Sequence, residues 1–157
     1  MIKLIRTTGN SPSYVELARE LDEELHSIYG DLQNNYDVFN MICEIDTVLI
    51  AYDDNNAIGC GCFRQYDDNT VEIKRMFVQF EYRNRKIAGL ILQELESWSM
   101  EKGFSNFILE TGSSQPQAVA LYKRSGYRMI ENFGQYAGDS NSICMFKEVQ
   151  EINMPCS

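Results

Sequence analysis

Histidine is nearly absent from this 157-residue chain: His26 is the only one, and it falls on a predicted surface helix. A tetrahedral zinc site needs four convergent ligands, and Cys60-Gly61-Cys62 has neither a second cysteine pair nor a histidine partner. No structural metal is expected. The five cysteines, Cys43, Cys60, Cys62, Cys144 and Cys156, are odd in number, and four lie in or beside apolar segments where a small buried thiol is ordinary. Long apolar runs are missing as well. Nothing nears the ~18 residues of a membrane span, and Met1-Ile2-Lys3-Leu4-Ile5-Arg6 lacks the apolar stretch of a signal peptide. A soluble cytoplasmic protein without a membrane partner is expected. Basic residues are few, 14 against 23 acidic ones for a net charge of −9. That balance repels polyphosphate, and no interleaved aromatic and basic patch offsets it, so nucleic acid is not an expected partner. Acidic clusters such as Asp22-Glu23-Glu24, Asp53-Asp54 and Asp67-Asp68 read either as solvated surface or as an attraction for a cationic amine.

What is present suits one compact domain over residues 1–157, with 44% hydrophobic residues to build its core and a tail from Gln150 that frays. Residues 2–6 alternate as a strand. Val15, Leu17, Ala18, Leu21, Leu25 and Ile28 recur at helical spacing over 13–28. Gly30 to Asn40 is rich in breakers and reads as a connection or short second helix, where substrate would enter. Val48–Tyr52, Ala57–Gln65 and Val71–Val78, separated by Asp/Asn turns, form an antiparallel meander. Ile87, Leu90, Ile91, Leu95 and Trp98 mark the apolar face of a helix ended by Lys102-Gly103. Asn106–Glu110 is a buried strand, and the intervening helix makes a crossover unit with Val71–Val78. Pro116 and Gly126 bracket another helix. Tyr127–Glu131 and Ser142–Val149 are closing strands.

Two motifs carry chemistry. Met76-Phe77-Val78 runs into the basic turn Arg83-Asn84-Arg85-Lys86, which opens a helix. The first turn of a helix has unpaired N–H groups and the positive end of its dipole, so an anion such as a pyrophosphate docks there. A solvated helix start is the ordinary alternative. A nucleotide site of the Walker type lacks its glycine-rich loop. Ala118 through Tyr127, AVALYKRSGY, is the second motif.

With the element order β-α-α-β-β-β-α-β-α-β-β, these two motifs resemble the GNAT superfamily of acyl-coenzyme-A-dependent N-acyltransferases. Arg83 to Ala88 follows that family's pyrophosphate-loop pattern except that Lys86 replaces its middle glycine. GluIleLysArgMetPheVal at 72–78 and GluThrGly at 110–112 are similar to a small bacterial branch of the family. The resemblance implies an α/β fold with a mixed, mostly antiparallel central sheet flanked by helices. It implies an enzyme that uses acetyl-CoA, without a metal, to acetylate a primary amine of a small molecule or peptide; a catalytically weak coenzyme A binding or sensing module is the alternative.

The cofactor-binding residues it implies are Met76, Phe77, Val78, Arg83, Asn84, Arg85, Lys86, Ile87, Ala88, Gly89, Gln115 and Tyr122. Main-chain groups of Phe77 and Val78 would pair with pantetheine amides. Lys86 is expected to hold ordinary helical angles and aim its ammonium at the phosphates, in place of the backbone approach that glycine permits. The resemblance makes Tyr122 the catalytic acid for the departing thiolate. Glu72 is the candidate catalytic base, facing the same way as Lys74, Met76 and Val78 by strand alternation; an ion pair with Lys74 or Arg75 is its other reading. Gln115 takes a slot that is often Asn. Glu110, Thr111 and Tyr136 would line the acceptor side, against strand-end capping for Thr111 and a surface position for Tyr136. Cys60 and Cys62 precede the cofactor strand without a histidine base, so direct transfer is expected over an acyl-cysteine. The family often forms homodimers, and the apolar strand Ile143 to Phe146 would suit one, although a core strand reads the same.

Overall fold

The computed structural model describes residues 1–30 and 45–149. Residues 31–40 of the segment read as substrate entry, the tail from Gln150 that was expected to fray, Cys43 and Cys156 lie outside these residues. Among the described residues the chain forms β1 (Ile2–Thr7), α1 (Pro12–Tyr29), β2 (Val48–Asp53), β3 (Asn56–Gln65), β4 (Thr70–Val78), α2 (Ile87–Glu101), β5 (Asn106–Gly112), α3 (Pro116–Arg124), β6 (Arg128–Ile130) and β7 (Ser142–Glu148). None of these helices is long and apolar enough to cross a membrane. The chain divides into two compact units, one of Met1–Arg64 with Ile73–Trp98, the other of Gln65–Glu72 with the chain from Ser99 onward.

In the first unit the strands run in the order β1-β2-β3-β4. The β1–β2 and β2–β3 ladders are antiparallel, pairing Leu4 with Ala51 and Ile50 with Cys60. Asp54 and Asn55 alone turn β2 into β3, with Asp54 at φ 53°, an angle Asp tolerates better than most residues. Helix α1 begins one residue before the expected start. Pro12 supplies a pre-set φ at the first helical position, and the Ser11 hydroxyl accepts a bond from the Tyr14 amide. Its buried side chains are Tyr14, Leu17 and Leu21, while Val15 and Ile28, expected inside, are exposed. Tyr14, Leu17 and Leu21 pack with Val48, Ile50, Cys60, Cys62 and Phe77 in one core cluster. Cys60, Cys62 and Cys144 are free, buried thiols, as their apolar settings suggested.

The opposite face of β3 carries Gly59 and Gly61. A Cβ on Gly61 would stand 2.6 Å from Met76 Sδ and 2.8 Å from Leu95 Cδ1, so the missing side chain is what lets α2 close on the strand. The buried face of α2 also differs from the expected stripe. Ile87, Ile91, Leu92, Leu95 and Glu96 are buried, and Leu90 is 43% exposed. At ~100° per residue, positions 87, 91, 95, 92 and 96 fall in one arc, and position 90 lies on the far side. Leu92 was missed because an apolar neighbour, Leu90, fitted the i, i+3 spacing equally well. Trp98 sits at the edge of the arc, edge-on to Phe63 at 5.4 Å and under the Arg6 guanidinium, which also bonds Glu94. Gly103, at φ 96°, ends the helix as expected.

In the second unit the strand order is β5-β7-β6, with both ladders antiparallel. Cys144, Met145 and Phe146 of β7 are paired on one side with β5 and on the other with β6. The apolar character of Ile143 to Phe146 is therefore that of an inner strand. It leaves no free edge there for a second copy. Helix α3 begins at Pro116 and is followed by Gly126 at φ 97°, the bracket that the sequence suggested.

The two leucines of α2 give a direct test of its register. Leu92→Ala should lose roughly 2–5 kcal/mol, as for other fully buried leucines. Leu90→Ala should stay within about 0.5 kcal/mol of the parent. Urea unfolding of both variants measures the difference; equal losses would refute the register.

Candidate functional site

Strand β4 does not run straight. Arg75 takes a left-handed φ of 59° inside it, a geometry typical of a bulge. From Arg75 onward the side chains alternate, Arg75 reaching Ala18 and Asp22 of α1 and Phe77 joining the same side. Side-chain contacts place Met76 and Val78 on the α2 side of β3, whereas Phe77 belongs to the core under α1. Glu72 is 2% exposed, deep for a carboxylate. Its partner is not Arg75, whose Nη2 donates to the Ala18 carbonyl and whose Nη1 lies 2.9 Å from Asp22 Oδ1.

After Val78 the chain makes a short 3₁₀ turn, Phe80–Tyr82, and reaches the basic turn. Arg83 is not directed outward. Its Nε donates to the Val78 carbonyl at 2.8 Å, Nη1 and Nη2 meet the two carboxylate oxygens of Glu24 at 2.8 and 2.9 Å, and the guanidinium lies over Phe77 and Phe80. Each part of the fork is engaged, so Arg83 is a bracket between α1 and the end of β4. Arg85 and Lys86 are exposed, with Arg85 over the Tyr82 ring.

Asn84 and Lys86 have φ values of 65° and 64°. Lys86 thus holds the left-handed angle that glycine would hold, and the expectation of ordinary helical angles is wrong. Where a left-handed residue follows a right-handed one, successive N–H groups line a concavity suited to an anion. The Lys86 carbonyl accepts from the Leu90 amide at 3.2 Å, so α2 begins at once and the amides of its first turn follow the turn's own. Nothing stands within 4 Å of where a Cβ of Gly89 would be, and Ala88 and Gly89 are only half-buried. The turn thus has two left-handed residues before the helix start, open space beside Gly89, and exposed Arg85 and Lys86 side chains.

The acidic residues of α1 have partners. Asp22 pairs with Arg75, Glu24 with Arg83, and Glu23 with Arg19, which also meets Glu16. Glu20 receives the Gln79 amide on both oxygens, at 3.2 Å each.

The second unit holds the remaining candidates. Tyr122 on α3 is 6% exposed and packs edge-on against Tyr127, ring centres 5.8 Å apart. Burial, with a smaller contribution from the charge of Glu110, raises the Tyr122 phenol well above its ordinary pKa. The Gln115 amide oxygen accepts from the Gly112 N–H at 3.2 Å, closing the turn between β5 and α3. Glu110 accepts from the Ser142 hydroxyl at 2.6 Å. Thr111 is buried inside β5, because the strand runs to Gly112, and so it caps no strand end. Tyr136 is buried rather than on the surface, its ring edge-on to Phe133, which in turn meets Tyr66. Burial pushes the Cys144 thiol up to about 11, with Glu110 and Glu72 adding to the rise and a backbone bond at Phe133 opposing it. Burial likewise raises the Cys60 thiol. Among the described residues no three His, Cys, Asp or Glu side chains gather as metal ligands do.

A left-handed lysine carries strain that glycine lacks. Lys86→Gly should therefore exceed Lys86→Ala in stability by about 1 kcal/mol, net of the extra freedom glycine has when unfolded. Chemical denaturation of the pair measures this; an alanine variant as stable as the glycine one would rule out the strained turn.

Comparison with known proteins supplies the frame for this geometry. The model of the acetyltransferase (GNAT) family matches residues 14–127. The IAA acetyltransferase of Azospirillum brasilense is 30% identical over 148 residues, covering 93% of this chain and 97% of that protein. The crystal structure of a Staphylococcus aureus acetyltransferase of the GNAT family shares the fold at TM-score 0.73, with 20% identity over 96% of this chain and all of that one. So does the Thermoplasma acidophilum PaiA N-acetyltransferase, solved in complex with coenzyme A, at TM-score 0.74 and 20% identity over 94% and 99% of the two chains. With more than half its length matched and a relative spanning nearly all of it, this chain belongs to the GNAT family of acetyltransferases.

Proposed function

We propose that this chain is a single-domain, cytoplasmic N-acetyltransferase that moves an acetyl group from acetyl-CoA directly to the primary amine of a small molecule or peptide. The observation that carries the reading is the left-handed pair Asn84 and Lys86 at the head of α2. It supplies the amide geometry a diphosphate needs even though the family's middle glycine is a lysine. The alternative of a coenzyme A sensing module drew its support from that missing glycine, and the turn's conformation weakens it.

In this reading the backbone amides of residues 84–89 and the cations of Arg85 and Lys86 hold the diphosphate. Arg83 serves by shaping the turn. Main-chain groups of Phe77 and Val78 bind the pantetheine arm, while the Gln115 side chain acts through the Gly112 backbone. The amine nitrogen attacks the thioester carbonyl carbon, the C–N bond forms and the C–S bond breaks. Tyr122 gives its phenolic proton to the departing thiolate, and Glu72, directly or through a water, removes the proton lost by the amine. Burial keeps the Tyr122 phenol protonated across the neutral range, the form a proton donor needs. The raised thiols of Cys60 and Cys144 favour direct transfer over an acyl-cysteine, because the thiolate is the nucleophilic form.

Acetyl-CoA at 100 times its Kd should stabilise the native protein by about 2.7 kcal/mol in a thermal unfolding experiment, and an amine library should yield acceptors that release thiol. Absence of both would end the proposal. Tyr122→Phe should keep the affinity for acetyl-CoA and lower kcat by roughly 10²–10⁴. Turnover equal to the parent would remove Tyr122 from the mechanism.

A further inference from the structure

Three side chains of α1 reach β4 and the turn that follows it. Asp22 faces Arg75, Glu20 receives Gln79, and Glu24 takes the Arg83 fork. The last of these bears on the anion site, because Arg83 directly precedes the left-handed pair. We propose that Glu24 is a positioning residue: through Arg83 it holds the turn in its anion-binding form before the cofactor arrives. The inference rests on the reading of this turn as the diphosphate site.

The argument is one of sign. A carboxylate close to a diphosphate site opposes the anion, so a Glu24 without a structural purpose would weaken cofactor binding. Its two oxygens instead receive Nη1 and Nη2, while Nε is committed to the Val78 carbonyl and the guanidinium face lies on Phe77 and Phe80. To become a phosphate ligand, Arg83 would have to leave all of these at once. Residues at positive φ persist where their surroundings over-determine them. On the far side of the turn the Lys86 carbonyl is fixed by the Leu90 amide; on the near side the fixed point is the Arg83 bracket. Release of the bracket lets Asn84 and Lys86 relax to ordinary angles, and the amides no longer converge.

The two outcomes of Glu24→Gln therefore differ in direction. If Glu24 positions the turn, calorimetry with coenzyme A should show affinity falling roughly five- to tenfold, with KM for acetyl-CoA rising in step and kcat retained. If Glu24 only occupies a phosphate-binding arginine, affinity should stay the same or tighten, and the proposal is overturned. Glu23→Gln removes the same charge from the same helix but pairs only with Arg19, so it should leave affinity at or slightly above the parent value. In an Arg83→Gln background, Glu24→Gln should add nothing further; an additive loss would also overturn the coupling through Arg83. A lowered unfolding midpoint with unchanged affinity would assign Glu24 to stability alone. Failure of the parent protein to bind coenzyme A would instead sink the reading of the turn, and this inference with it.

Discussion

The passage from β4 to α2 is the constraint on which the proposed cofactor site depends. A strand has to end, turn and start a helix with its first amides unobstructed, and the chain achieves this by placing two side-chain-bearing residues, Asn84 and Lys86, at left-handed angles. Asn accepts that conformation readily; Lys does not. The strain is tolerated because both ends of the turn are pinned, one by the Arg83 fork and the other by the first hydrogen bond of α2. Lys86 holds the left-handed angle that glycine would hold and keeps its side chain exposed at the turn.

Charge in this protein is organised locally rather than as a field. The net −9 would on its face disfavour an anionic cosubstrate. Within the first unit, however, the acidic residues of α1 are met by Arg75, Gln79, Arg83 and Arg19. Of these contacts the one from Glu24 reaches the turn itself, through the Arg83 fork. Arg85 and Lys86 stay exposed at its rim.

Burial sets the proton chemistry of the second unit. Tyr122 and Cys144 are both raised, chiefly because their charged forms would be poorly solvated, and Glu110 adds to each. Both groups therefore stay protonated at neutral pH, and the thiol is a weak nucleophile there.

Much of the fold was legible in the chain because its signals are local. Pro116 at a helix start, Gly103 and Gly126 past helix ends, and the Asp/Asn reversals of the meander each act through a neighbour or two in sequence. Their effect on φ is the same wherever the segment packs. The two motifs likewise marked the anion turn and Tyr122. The misreadings share one cause, which is contact between residues distant in sequence. Leu90 and Leu92 are equally apolar, and only the packing of α2 on the glycine face of β3 decides which is buried. Lys86 reads as an ordinary helix start until the turn is pinned at both ends. Arg83 reads as a phosphate ligand until Glu24, 59 residues earlier, claims its fork. The sequence alone determined the elements, their order and the chemistry on offer, since these follow from backbone preference and residue type. The tertiary structure decided which cations remain exposed and which are brackets, because an ion pair is formed by distance in space, and no spacing along the chain encodes that.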